Sequence, residues 1–242
     1  MTLLLTDPNR QQKAIAIHNR LCVEYGCPIP YFHALDPLSE LISALLSHRT
    51  KNRDSNRAFQ RLTAQFPSWE SVREAETKTV EEAIAPCTWP EQKAPRIQQV
   101  LRLVDEKTHG KSSLDFLADM FVPDARAWLE SLPGVGPKTS AAVLCFSRLR
   151  RRALPVDSHH HRVAQRVGLI SNSVAVGPSH AVLEALLPED WNAQQVYDNH
   201  EVMMLHGQRC CFYSKPACDR CVILDLCPHG QSKIQTLKSK IH

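Results

Sequence analysis

No stretch of this 242-residue chain approaches the roughly eighteen consecutive apolar residues of a membrane-crossing helix, so no such span is expected. Its opening residues, MTLLLTDPNR, lack the basic start and long apolar segment of a secretory signal, which predicts a cytosolic or nucleoid-associated protein. Internal repeats and low-complexity stretches are missing too, and no segment shows a convincing strand pattern. An all-α chain is what remains. Charge is barely unbalanced, with 29 Lys and Arg against 25 Asp and Glu and a net charge of +4. That permits a nucleic-acid partner without proving one. The length is enough to bury a real core, and two lobes are expected.

Nine cysteines are present, and five of them (Cys210, Cys211, Cys218, Cys221 and Cys227) crowd into eighteen residues. In a cytosolic chain such crowding reads as a metal site. Cys211-x6-Cys218-x2-Cys221-x5-Cys227 offers four thiolates, enough to surround one metal ion or a cubane cluster. Structural zinc usually takes two Cys-x2-Cys hooks, whereas this run has one hook and two longer arms. Cys210 falls outside the spacing and is unassigned. Lys215, Arg220 and Arg209 make the loop basic. Cys22, Cys27, Cys87 and Cys145 sit among apolar neighbours and read as buried or free thiols.

Helical signals run the length of the chain. Asp7-Pro8 opens a first helix that ends near Gly26, and Asp36-Pro37 opens a core helix striped by Leu38, Leu41, Ile42, Leu45 and Leu46. Ala58, Phe59, Leu62 and Phe66 stripe another, and Ser68 caps a short one. Thr79 with Glu82 reads as a capping box. Ile97 to Val104 carry a helix to the Gly110 stop, and Ser179 reads as the cap of SHAVLEALL.

The stretch from Ala125 to Arg162 carries the chemistry. It reads as helix, hairpin, helix, loop, helix: ARAWLESL stops at Pro133-Gly134, Gly136 ends the hairpin, and Pro137 opens the next helix. The two glycines leave N–H groups uncovered beside a helix N-terminus, a surface suited to a phosphate. Lys138 is the residue to explain, because a cation in a first turn gains nothing from the helix dipole. A partly dry amine there would suit Schiff-base chemistry, and a carboxylate nearby, such as Asp157, would poise it. Two plainer roles stand beside these: Lys138 as a phosphate contact, and Asp157 as the N-cap of the helix beginning near Ser158.

LPGVG-x-KT, followed nineteen residues after Lys138 by the Asp of VDSH, resembles the helix-hairpin-helix DNA glycosylases, and most closely endonuclease III. The resemblance spans about residue 10 to residue 228. It implies that Lys138 attacks the sugar C1′ of a damaged nucleotide with assistance from Asp157, and that Cys211, Cys218, Cys221 and Cys227 hold a [4Fe-4S] cluster. It also implies a helical barrel domain over 31–148, a cluster domain made of 1–30 with 149–242, and DNA in the cleft between them. The expected partner is double-stranded DNA carrying damaged bases or abasic sites, bound by a monomer. The activity implied is a glycosylase with abasic-site lyase activity toward oxidised pyrimidines. A monofunctional glycosylase for mismatched or alkylated bases, or a non-catalytic DNA-binding paralogue, is the alternative.

Within the resemblance, Arg49 stands where the family has the Gln that fills the gap left by an extruded nucleotide, and Trp89 stands where it has a Leu wedge. The two are expected to enter the duplex from opposite sides of the lesion. Otherwise Arg49 is a solvated helix end and Trp89 a half-buried core aromatic. Asn52 replaces a family Asp. Gly134 and Gly136 are expected at the DNA backbone and His159 near the partner of the extruded base. His159, His160 and His161 should point around their helix rather than at one ion. The run Arg148 to Arg152, one residue longer than the family's loop, is either a solvated loop or, through Arg151, an extension of the phosphate track.

Overall fold

In the computed structural model, which describes residues 7–239, twelve α-helices and three 3-10 turns carry the chain, with no strand among the described residues. Met1–Thr6, part of the stretch read for a signal, lie outside them. Among the described residues no helix is long and apolar enough to cross a membrane. Contacts divide the chain into two units, Phe32–Arg151 and Met1–Tyr31 with Arg152–His242.

Helix α1 (Pro8–Tyr25) begins where the Asp7 side chain accepts from the Asn9 N–H, and it ends at Gly26 with φ 83°. The Phe32–Arg151 unit then opens with α2 (Pro37–Ser47), where Asp36 Oδ1 accepts from the N–H groups of Leu38 and Ser39, each at 3.0 Å. Helix α2 is the centre of its unit, packed against α3 (Asn52–Gln65), α6 (Pro90–Lys107) and α8 (Pro137–Phe146). Leu41, Ile42 and Leu46 are fully buried, each contributing roughly 1.5–3 kcal/mol by leaving water. The short helices α4 (Trp69–Glu74) and α5 (Thr77–Ala83) lie on α6, and α7 (Val122–Glu130) pairs with α8. Buried Gln98 ties the first two down, donating to the carbonyls of Val72 and Ala75 and accepting from Thr77 Oγ1.

The other unit joins α1 to α9 (Ser158–Arg166), α10 (Val176–Glu184), α11 (Ala193–Arg209) and α12 (Pro228–Lys238). Helix α11 packs on both α1 and α9, and α12 closes over the cysteine loop. Gly207 permits the approach of α9 to α11, since a Cβ there would lie 2.8 Å from His159 Cβ.

Several boundaries differ from the sequence pattern. Thr79 lies inside α5, whose N-cap is Glu76, so no capping box forms there. Ser179 lies inside α10, its hydroxyl bonded back to the Val176 carbonyl at 2.6 Å. A Ser that looks like a cap here bonds within an established helix. The helix before the hairpin starts at Val122 rather than Ala125. The tail after Cys227 forms α12.

Candidate active site and cysteine centre

Gly134 takes φ 82°, a conformation that favours glycine, and a Cβ there would push the flexible Arg96 side chain aside at 2.8 Å from its Cδ. Gly136 is different. Its backbone is extended and a Cβ would touch nothing within 4 Å, so the chain itself does not demand glycine there. As the N-cap of α8, Gly136 accepts from the N–H groups of Thr139 and Ser140, both at 2.9 Å, and Lys138 occupies the first turn, half-buried.

Two titratable groups of α2 and its C-terminus stand in the electrostatic neighbourhood of Lys138. Glu40 is 4% exposed, and burial pushes its carboxyl up to about 8 despite the opposing pull of Lys138 and Arg150. His33 Nε2 lies 3.3 Å from Glu40 Oε2 but forms no hydrogen bond with it. His48 donates to or accepts from Thr139 Oγ1 at 3.0 Å. Burial first, then Lys138, Lys93 and Arg96, push this imidazole down to about 4, so it is neutral at pH 7. With Glu40 protonated and His48 neutral at pH 7, neither of these two groups offers a charge to stabilise an ammonium beside it. Glu40 was visible in the sequence as the lone carboxylate of an apolar stripe, whereas nothing in the local pattern singles out His48.

Lys93 closes the C-terminus of α2, donating to the carbonyls of Leu46 and His48 and to Thr50 Oγ1 at 2.7–2.8 Å. The chain turns sharply there, and Arg49 takes φ 51°. Trp89, at φ 54° and 45% exposed, is the N-cap of α6. Arg49 and Trp89 meet on the rim of one cavity of about 400 Å³, also lined by His48, Gln92 and Arg96, with the guanidinium carbon 5.9 Å from the ring centroid. In the protein without DNA the two side chains therefore stand side by side. Trp89 is also no core aromatic.

The basic loop makes contacts within its own unit. Arg151 donates through Nη1 to the carbonyls of Leu117 and Ala118 and through Nη2 to that of Met120, at 2.8 Å. Arg148 pairs with Asp115, and Arg150 bonds the carbonyls of Phe146 and His33. These carbonyl contacts make the guanidinium of Arg151 a staple of its own loop.

Asp157 belongs to the other unit, where it caps α9 by accepting from the His160 N–H at 2.7 Å. Burial alone would raise this carboxyl, but His200, the His160 N–H and the imidazoles of His160 and His159 hold it below its ordinary value. Glu201 on α11 goes the other way, raised to about 7 by burial and then by Asp157 and Asp198. Two carboxyls split in this manner divide into an ionised group and a protonatable one. Sequence reasoning missed Glu201.

The three histidines point apart. His159 Nδ1 accepts from Arg162 Nη2 at 3.1 Å. His160 is buried and neutral, pushed down to about 3, chiefly by burial. His161 donates to the Val174 carbonyl at 2.8 Å.

Cys211, Cys218, Cys221 and Cys227 line one cavity walled by Val163, Val167, Ile223 and Leu224, with Cys210 and His206 on the same wall. All five are free thiols. Arg166 Nη1 donates to Cys211 Sγ at 3.2 Å and the Gly230 N–H to Cys227 Sγ at 3.3 Å, the latter opposing the burial that raises the Cys227 thiol. Gly230 borders the same cavity, where a Cβ would press on Leu224 Cδ1 at 2.8 Å and make ordinary contact with Cys227 Sγ at 3.6 Å and Cys218 Sγ at 3.8 Å, so two thiols converge beside it. The donor set, the dry walls and this space fit a thiolate-held metal group. Cys22 and Cys27 are joined in a disulfide, which corrects their reading as free thiols; Cys87 and Cys145 are buried thiols.

Comparison with known proteins agrees with this geometry. The chain is 31% identical to endonuclease III of Thermotoga maritima over 193 residues, which is 79% of this chain and 83% of that one. It is 32% identical over 174 residues to a longer Arabidopsis thaliana protein named as a DNA glycosylase, covering 72% of this chain and 57% of that protein. The solved structure of a trapped endonuclease III–DNA covalent intermediate superposes with a TM-score of 0.77 over 93% of this chain and 98% of that one. At 23% identity that likeness is one of fold. Residues 42–192 match the family described as HhH-GPD superfamily base excision DNA repair protein. With hairpin, helical fold and relatives in agreement, the chain belongs to this superfamily and, within it, is endonuclease III-like.

Proposed function

We propose that the chain is a base-excision DNA glycosylase with associated abasic-site lyase activity, acting on duplex DNA that carries oxidised pyrimidines or abasic sites. Its reaction uses Lys138 as nucleophile and Asp157 as the assisting carboxylate. The observation that carries this reading is the place of Lys138: first turn of α8, half-buried, behind a hairpin whose glycines leave backbone N–H groups open to a phosphate. The lone pair of the neutral amine forms a bond to C1′. The glycosidic bond breaks, and its electron pair leaves with the base, which takes up a proton. Opening of the sugar gives a lysine imine, and loss of a C2′ proton expels the 3′ phosphate. Asp157, held ionised, steadies the positive charge that develops at C1′.

Gly136 fits the same reading, since only an approaching partner would make a side chain unwelcome there. His159 and Arg49 are proposed to face the DNA, with Trp89 as the second wedge. Cys211, Cys218, Cys221 and Cys227 would hold a [4Fe-4S] cluster, which when bound would keep rigid a loop whose basic residues Arg209, Lys215 and Arg220 suit a DNA phosphate. A cytoplasmic, nucleoid-associated location accords with such a substrate.

A duplex with one oxidised pyrimidine tests the reading. Strand breaks that appear without alkali support glycosylase and lyase together; breaks that need alkali indicate a monofunctional enzyme.

A further inference from the structure

Cys210 is the one thiol of the loop that the four-cysteine spacing does not use, yet it is only 8% exposed and faces the same cavity. Its Sγ, the Sγ of Cys221 and a ring nitrogen of His206 all lie within 4.8 Å of one another. Four thiolates on the corners of a cubane each bind a different iron and must stand well apart. Three donors this close together suit a single ion instead.

The distances support this. Tetrahedral bonds of about 2.3 Å to sulfur and about 2.0–2.1 Å to nitrogen place the two donors about 3.6 Å apart. Cys221 Sγ and His206 Nε2 are 3.6 Å apart. The outer partner that a ligating imidazole needs is also present. Tyr25 Oη lies 3.1 Å from His206 Nδ1, and an Nδ1–H donated to that oxygen leaves the Nε2 lone pair turned to the thiols. His206 itself is buried.

We propose that His206, Cys210 and Cys221 form a second metal site, which binds one thiophilic divalent cation of the zinc class when the cluster is absent. Each thiol gives up a proton on binding, the imidazole stays neutral, and the two thiolates balance the charge of the ion. Three protein donors leave the fourth position to water. Because Cys221 is shared with the proposed cluster, cluster and ion exclude one another, and Cys210 separates the two: it serves the ion and not the cluster. The proposal rests on the cluster reading only through that shared residue.

The test uses the full chain, made in iron-poor medium and titrated with cobalt(II). One cobalt per chain is expected, with the intense visible bands of tetrahedral thiolate coordination. X-ray absorption should show two sulfur and two lighter donors; a four-sulfur shell overturns the proposal, as does failure to bind cobalt. Cys210→Ser should weaken cobalt binding by more than the roughly 10- to 100-fold that loss of a second-shell partner costs, while leaving the iron content of chain made in iron-rich medium unchanged. Cys211→Ser should do the reverse, losing iron and keeping cobalt. Unchanged cobalt affinity in Cys210→Ser, or loss of iron from it, contradicts the assignment. Should iron be absent from every form while cobalt still depends on Cys210, the cluster reading fails and this one stands. If Cys210→Ser does not fold, the donor count in the unaltered chain decides.

Discussion

The guanidinium of Arg49 lies over the ring of Trp89, its central carbon 5.9 Å from the centroid, and both residues hold left-handed backbone conformations. Each such conformation costs of order 1–3 kcal/mol in a residue other than glycine, so two in contact at the rim of a cavity point to a function that outweighs the strain.

That function is expected to be filling the duplex. Stacking an aromatic ring on an exposed base is worth roughly 1–3 kcal/mol. Trp89→Ala should therefore slow excision from a well-paired duplex about 5- to 150-fold. Mismatched or single-stranded substrates, which cost less to unstack, should suffer less. A lower melting temperature with excision unchanged on every substrate would assign Trp89 to the fold alone.

Arg151 is predicted to matter for stability instead of DNA affinity. Its charged donors serve three carbonyls, and hydrogen bonds to a charged group are worth roughly 1.5–3 kcal/mol each. Arg151→Ala should lower the midpoint of urea unfolding and leave affinity for undamaged duplex within about twofold, measured in parallel at one salt concentration. A large, salt-dependent loss of affinity in a stable variant would restore the phosphate role.

The contrast shows where sequence reading stops. Asp7 and Asp36 before proline, Gly26 after α1 and the α2 leucine stripe all declare themselves, because capping and periodicity act over a few residues. The hairpin and the four-cysteine spacing are equally local. What Arg151 touches depends on carbonyls some thirty residues away, and the neutral state of His48 depends first on its burial and then on lysines and an arginine brought in by α6 and α8. The Cys22–Cys27 disulfide is hidden for a similar reason: it forms only because the chain turns back beyond Gly26.

Glu40 predicts a pH dependence. Its folded value of about 8 is raised above the ordinary 4.5, so the folded state holds the proton more tightly. The stability it contributes is complete below about pH 4.5 and is lost as pH rises through 8, by an amount on the order of a few kcal/mol. Glu40→Gln should flatten that decline, giving melting temperatures close to wild type at pH 5 and higher than wild type at pH 8.5. Parallel curves for the two proteins across this range would mean that Glu40 is ionised in the fold.

Iron is predicted in the protein made in iron-rich medium, which should be yellow-brown. Anaerobic preparations that are colourless, with one zinc per chain and no iron by elemental analysis, would assign the cysteine loop to zinc.

The central claim is that the amine of Lys138 forms the bond to the sugar. Borohydride added during reaction with abasic-site DNA reduces an imine to a stable amine, so the wild-type chain should become covalently joined to the DNA. Lys138→Gln should give no joined species while binding the same DNA nearly as well. Equal trapping by Lys138→Gln would move the chemistry to another amine and contradict the account.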